Sequence, residues 1–194
     1  MKLPADIYPE SRNRLPMVRR DDLNDEGKEI FDARKNDRRS LVGLQGPSGI
    51  RLHNPKLAKL SSPLNRYLRF EAGLDRRVVE VVILATAREF DQPFEWAAHE
   101  GEALKIGVAQ DVIDVVRFRK PVDGLGEQYA AMIRLVREAC GAHKVSSATF
   151  AEAMRLFGKE QLLNYVALIG GYADTAILLT VFDQQLPAEK RSTL

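Results

Sequence analysis

The sequence predicts an all-α protein folded as a single-domain helical bundle, and three observations lead to that class. No useful length of chain alternates polar and apolar residues with the two-residue period of a half-buried strand. Helix-start and helix-stop residues recur along the chain, as at Asn54-Pro55 and at Gly107. The 194 residues are 45% hydrophobic and 29% charged, which is typical of one globular domain that needs no disulfide or structural metal.

The first part of the chain, residues 1–40, is predicted to be an N-terminal arm followed by one helix. Residues 1–20 are rich in proline and arginine, which indicates an irregular segment. Residues 23–36 have the pattern of an amphipathic helix with Ile30 and Phe31 on its inner side. The helical domain is predicted over residues 41–194, and it begins with a glycine-rich loop over residues 41–53.

Three consecutive helices are predicted next. Asn54 and Pro55 supply an N-cap and a first-turn proline, and that helix stops at Gly73. Asp75 caps the following helix, whose residues 78–85 are apolar nearly all round apart from Glu80 and therefore belong in the interior. The third helix, residues 94–106, is predicted to form a hairpin with it.

Shorter helices are predicted over residues 110–117, 127–139 and 146–157, and a long apolar one over about 160–182. The last resembles a membrane span, but Asn164 and Asp174 interrupt it, and an Asp at mid-bilayer costs about 3 kcal/mol. We therefore expect no membrane partner. The small residues Gly170 and Gly171 would let another backbone approach closely, which favours a core position or a homo-oligomer interface in a dimer, trimer or hexamer.

Charge and cysteine content exclude several classes of protein. The formal net charge of +2 is too low to make nucleic acid an expected partner. Cys140 is the only cysteine and cannot form an internal disulfide. With no secretory pattern in the first ten residues, this favours a cytoplasmic location.

The residues that could carry chemistry lie on the predicted hairpin. Glu95 and His99 are four residues apart and share a helix face, and Glu80 lies on the partner helix. Together they could move protons near neutral pH. Two alternatives stay open: Glu95 and His99 could be an ordinary surface pair, and Glu80 could be neutralised by an arginine one turn earlier, Arg76 or Arg77. The spacing matches no strong metal motif, so we expect no metal site.

Residues 94–100 read FEWAAHE, and Ala103, Gly107 and Val108 follow. This segment resembles the signature region of the carboxymuconolactone decarboxylase-like family, which has the alkylhydroperoxidase-like fold. Glu80 stands at the distance before His99 at which that family places a glutamate, and residues 46–55 resemble the loop and cap of a cysteine-free branch. The redox branch has a Cys-x-x-Cys pair where this sequence has Gln92 and Glu95, so disulfide-cycling peroxidase chemistry lacks its nucleophile.

The resemblance implies a cofactor-free lyase that acts on a small carboxylated lactone or a related intermediate of aromatic catabolism. His99 would donate the proton and Glu95 would orient His99, while a protonated Glu80 or a nearby amide would hydrogen-bond the developing oxyanion. The residues predicted to contact the substrate are Arg51, His53 and Trp96. Two other hypotheses are a member of the peroxidase group with a degenerate redox site and a non-enzymatic helical oligomer.

Overall fold

The computed structural model describes residues 3–37, 42–187 and 191–194. These residues contain eight α-helices and no strand; the only bridge of β type is an isolated one between Tyr8 and Asn13. The helices are α1 (Asp25–Lys35), α2 (Pro47–Leu52), α3 (Pro55–Arg66), α4 (Arg76–Glu89), α5 (Pro93–Lys105), α6 (Gln110–Arg117), α7 (Glu127–Val136) and α8 (Ser147–Val181). The predicted all-α class is confirmed.

Helix α4 is the centre of the bundle, as its apolar sequence predicts. Every residue from Val78 to Ala87 is buried, and the helix packs against α5, α6, α7 and α8. The Asp75 side chain accepts a hydrogen bond from the Arg77 amide and so begins the helix where the sequence predicts. Because each fully buried Val, Leu or Ile is worth roughly 1.5–3 kcal/mol, α4 is held in place strongly enough to carry a buried carboxylate.

The N-terminal arm and α1 each pack against the helical domain. Its backbone bonds the end of α8, from the Arg14 amide to the Phe182 carbonyl and from the Gln185 amide to the Arg12 carbonyl. The α1 side chains Ile30 and Phe31 pack on a small core around Leu52. The arm is irregular, as predicted, apart from one 3-10 turn at Arg20–Asp22.

The predicted loop over residues 41–53 is only partly correct; residue 41 lies outside the described residues. Pro47–Leu52 form the short helix α2, which Pro47 at the first turn favours and the burial of Ile50 and Leu52 stabilises. Gly46 has a φ of 72°, and a Cβ there would lie 2.4 Å from the Phe94 ring. The glycine therefore lets the loop lie directly on the start of α5.

Helix α8 is two helical pieces joined at Gly158, whose φ of 67° and ψ of 175° are not helical. This break falls in the gap between the two helices predicted there. By length and composition α8 could cross a membrane, although 44% of its most apolar stretch is buried inside the protein. The absence of a membrane partner stays a prediction.

Candidate active site

A cavity of about 760 Å³ lies among α1, α2, α3, α5 and α8. His99 and Glu95 of α5 and Tyr172 of α8 line it on one side. Ile30, Ala33 and Arg34 of α1 line it on another. Its volume is within the range of small-molecule sites. The N-terminal part of the chain therefore contributes a wall of the cavity.

His99 is buried and has a different partner at each ring nitrogen. Its Nδ1 lies 2.6 Å from Oε2 of Glu80, and its Nε2 lies 3.3 Å from the Tyr172 hydroxyl and 3.5 Å from Oε2 of Glu95. The Tyr172 ring meets the imidazole edge to face, with centroids 5.2 Å apart. Because Glu95 and Tyr172 line the cavity and Glu80 does not, Nε2 is the nitrogen on the cavity side.

Glu80 is fully buried and belongs to a cluster of charges. Its Oε1 accepts hydrogen bonds from Arg69 and Arg76, each at 3.3 Å, and its Oε2 accepts from His99. Burial by itself would raise the pKa of Glu80, but His99 and the two guanidiniums lower it below the ordinary value. Of the two predicted arginines, Arg76 binds Glu80, whereas Arg77 binds Asp75 at the start of α4.

An ionised Glu80 determines the tautomer of His99. A carboxylate can only accept, so Nδ1 of His99 carries the hydrogen and Nε2 of the neutral ring is basic. The same carboxylate stabilises the ring when Nε2 is protonated. His99 is thus arranged to exchange a proton with a molecule in the cavity.

The pKa of Glu95 is shifted in the opposite direction from that of Glu80. Glu95 is buried, and this burial raises its pKa, although His99, Arg69 and Arg51 act to lower it. In the structure Glu80, and not Glu95, bonds Nδ1 of His99, and Glu95 is the carboxylate whose surroundings favour the neutral form. The physical reason is that Arg69 and Arg76 both reach Glu80, whereas neither bonds Glu95.

Sequence reasoning missed Tyr172 and Arg69. Tyr172 comes from α8, and its burial raises the pKa of its hydroxyl well above the ordinary value, so it stays a neutral donor. Arg69 lies in the one-turn π-helix Tyr67–Glu71 that follows α3. The sequence contains one weak indication of Tyr172: it lies in an apolar helix, and a tyrosine buried there needs a partner for its hydroxyl.

The three predicted substrate contacts lie in different places. Arg51 lines the cavity, with its guanidinium 2.7 Å from Asp174 and 2.9 Å from the Thr175 hydroxyl. His53 is outside the lining, and its Nε2 lies 3.1 Å from the Pro16 carbonyl of the arm. Trp96 is fully buried, away from the cavity, with its Nε1 donating to the Thr193 hydroxyl at 2.9 Å. Only Arg51 is in a position to contact a molecule bound there.

The single thiol lies outside the cavity. Cys140 is in the turn Arg137–Gly141 that follows α7, partly buried against the main core. Burial raises the pKa of this thiol, and Glu89 raises it further, so it is a poor nucleophile. In the part of the chain that the structure describes, no three His, Cys, Asp or Glu side chains are grouped to hold a metal ion.

The fold is of the alkylhydroperoxidase-like type, as similarity to solved structures shows. One is a protein of unknown function from Agrobacterium tumefaciens whose description names the antioxidant defence protein AhpD. It has a TM-score of 0.65 and 18% identity, over 72% of this chain and 96% of that chain. Another is a cysteine-to-alanine variant of the debrominase Bmp8 in complex with 2,3,4-tribromopyrrole. Its TM-score is 0.69 with 14% identity, over 89% of this chain and 90% of that one.

No family model matches the sequence, and no curated protein is a significant match. The solved structures share the fold with this chain at low identity, so the reaction has to be inferred from the residues of the cavity.

Proposed function

We propose that this protein is a cofactor-free lyase that decarboxylates a small carboxylated lactone or a related intermediate of aromatic catabolism. The observation that supports the proposal most directly is the position of His99, held by Glu80 at Nδ1 with Nε2 on the cavity side. An imidazole with this arrangement is suited to general acid and base catalysis.

The proposed reaction uses four side chains. When the substrate carboxylate leaves as carbon dioxide, the electron pair of the broken C–C bond remains on the substrate as a dienolate. The Tyr172 hydroxyl and a neutral Glu95 donate hydrogen bonds to the enolate oxygen. Before the transfer, ionised Glu80 balances the positive charge on the protonated His99 ring. Nε2 of His99 then delivers its proton to a carbon of the dienolate, and solvent reprotonates the ring.

Three further features support the proposal. The cavity has no thiol, and the raised pKa of Cys140 disfavours a thiolate, so proton transfer fits the available side chains better than a peroxidase reaction. Guanidiniums of Arg34, Arg51 and Arg69 line the same cavity and favour an anionic ligand. The debrominase Bmp8 binds a small ring in its own complex, and a ligand of similar size suits this cavity.

The test is an ultraviolet absorbance assay with carboxymuconolactone and related lactone acids. We expect His99→Ala to lower kcat by about a hundredfold to ten-thousandfold, because the proton donor is removed. His143→Asn is the matched control, since His143 is exposed and has the positive φ of 56° that asparagine tolerates.

Cys140→Ser separates the lyase from the peroxidase alternative. The lyase predicts unchanged turnover in this variant, whereas a thiol-dependent peroxidase loses its activity. If no lactone acid is turned over, or if His99→Ala and wild type have equal rates, the proposed reaction is wrong.

We also propose that the protein is a homo-oligomer that buries exposed faces of α3 and α8. The two helices adjoin at a small cavity lined by Leu64, Leu168 and Gly171. Rows of exposed apolar side chains follow both: Leu57, Leu60 and Leu64 on α3 and Leu163, Val166, Ile177 and Val181 on α8. Exposed apolar side chains on adjoining helices are typical of an interaction surface, and a second copy of the chain could cover it.

Light scattering after size exclusion tests the proposed oligomer. Leu60→Glu and Leu163→Glu are expected to give smaller particles, because a charge in an apolar interface is costly. Phe118→Glu is the control, since Phe118 is equally exposed but follows α6. A monomeric wild-type protein would overturn the proposal.

A further inference from the structure

Three guanidiniums from separate parts of the chain line the cavity together with His99. Arg34 belongs to α1, Arg51 to α2 and Arg69 to the turn after α3. Their side chains are only 26%, 16% and 11% exposed, respectively. Charged groups withdrawn from water to this extent need compensating negative charge.

The carboxylates that pair with these guanidiniums are shared, exposed or distant. The guanidinium of Arg51 lies 2.7 Å from a carboxylate oxygen of Asp174, but the Asp174 side chain is 71% exposed. Arg69 shares Glu80 with Arg76 and His99, so one carboxylate serves two guanidiniums and an imidazole. The Nε of Arg69 is moreover buried without a hydrogen-bond partner. An unsatisfied buried donor is costly, so the pairing of Arg69 is incomplete.

Arg34 is the least tightly paired of the three. Its closest carboxylate contact is 3.7 Å, from Nη1 to Asp37, and its Nη2 donates to the Ser62 hydroxyl at 3.2 Å. Burial lowers the pKa of Arg34, and the charges of Arg51 and Arg69 lower it further, against the opposite effect of Asp37. Arg34 is thus close enough to Arg51 and Arg69 for their positive charges to act on it.

We infer that Arg34 and Arg69 form a subsite for a carboxylate of the bound molecule, so that α1 of the N-terminal region selects anionic ligands. This inference rests on the proposed function and assigns the ligand's anionic group to residues other than Arg51 and His53. A guanidinium fork matches a planar carboxylate, and both Arg34 and Arg69 line the cavity. Such a ligand offsets the repulsion between the two arginines.

Isothermal titration calorimetry with isophthalate tests the subsite, and isophthalamide serves as the neutral analogue of the same shape. Wild type is expected to bind isophthalate and to bind isophthalamide at least tenfold more weakly. Arg34→Gln is expected to weaken isophthalate binding by about tenfold or more, because one charge-assisted pair is lost. Arg34→Lys keeps the charge without the fork, and its affinity for isophthalate is expected to lie between those of wild type and Arg34→Gln.

The matched control is Arg66→Gln. Arg66 also lines the cavity, but its side chain is 61% exposed and bound to Glu71 at 2.6 Å, so isophthalate affinity should stay within twofold of wild type. Melting temperatures of all variants show that each is folded at the titration temperature. If Arg34→Gln does not fold, Arg34→Lys and Arg66→Gln still decide the result.

Three results would overturn the subsite: no binding of isophthalate by wild type, equal affinity for isophthalamide, or an equal loss of affinity in Arg34→Gln and Arg66→Gln. Binding is measured without turnover, so it fails or succeeds independently of the lyase reaction. If isophthalate binding depends on Arg34 but no lactone acid is turned over, the proposed reaction is wrong and the subsite is retained.

Discussion

The contacts of Glu80 predict that Glu80→Gln destabilises the protein and changes the tautomer of His99. The substitution keeps the volume of the side chain and removes its charge from the centre of the bundle. Arg69, Arg76 and the Nδ1 hydrogen of His99 would then share one neutral amide oxygen. The amide nitrogen would add donors where only acceptors are needed.

The size of the effect follows from the burial of the cluster. Removing one partner of a buried ion pair costs about 3–5 kcal/mol, and the lower end applies because Arg76 is 31% exposed and can find water. For a chain of this length, about 3 kcal/mol lowers the melting temperature by about 6–12 °C. The folded-state pKa of Glu80 lies below its ordinary value of 4.5. Its stabilisation is therefore complete above about pH 4.5 and is lost as the pH falls through the folded-state pKa.

Calorimetry from pH 3 to pH 8 measures the stability, and nitrogen-15 NMR of the imidazole reports which ring nitrogen carries the hydrogen. We expect the melting difference between wild type and Glu80→Gln to be largest above about pH 4.5 and to shrink in acid. Glu102→Gln is the control, because Glu102 reaches the same Arg76 only at 3.9 Å and its loss should cost less than 1 kcal/mol.

The reasoning would be refuted by a Glu80→Gln protein that melts within 2 °C of wild type at neutral pH with its His99 tautomer unchanged. An equal loss of stability in Glu102→Gln would also contradict it, since the effect would then belong to Arg76 and not to the buried carboxylate.

Two other substitutions test the remaining groups of the site. Because burial raises the pKa of Glu95, folding opposes its ionisation, and stability declines as the pH rises from the unfolded value near 4.5 up to the folded-state pKa. Glu95→Gln should therefore melt above wild type at pH 8 and match it near pH 4; a lower melting temperature at pH 8 would show that the charged form is stabilised. Tyr172→Phe removes only the hydroxyl that lies 3.3 Å from His99, and it should lower turnover of any lactone acid substrate about tenfold to a hundredfold with an unchanged fold. Steady-state kinetics measures the turnover of Tyr172→Phe, and circular dichroism shows whether its fold is unchanged. Full activity would exclude the hydroxyl from the reaction.

The helices and the buried position of α4 follow from local features of the sequence. Asn54, Asp75 and Ser146 each cap a helix through their own side chain, and Gly158 breaks α8 because it has a positive φ. These effects involve residues a few positions apart, so they can be predicted without the tertiary structure. The FEWAAHE segment likewise predicts the alkylhydroperoxidase-like fold, and its four-residue spacing predicts that Glu95 and His99 share a helix face.

The roles of the site residues depended on the tertiary structure. Spacing places Glu95 one turn before His99, but it cannot show that Glu80 reaches Nδ1 or that Tyr172, 73 positions further on, reaches Nε2. Nor can it show that Arg34 of α1 lines the same cavity. The protonation preferences of Glu80 and Glu95 differ because cationic side chains hydrogen-bond Glu80 directly but not Glu95, and those bonds are determined by how distant helices pack.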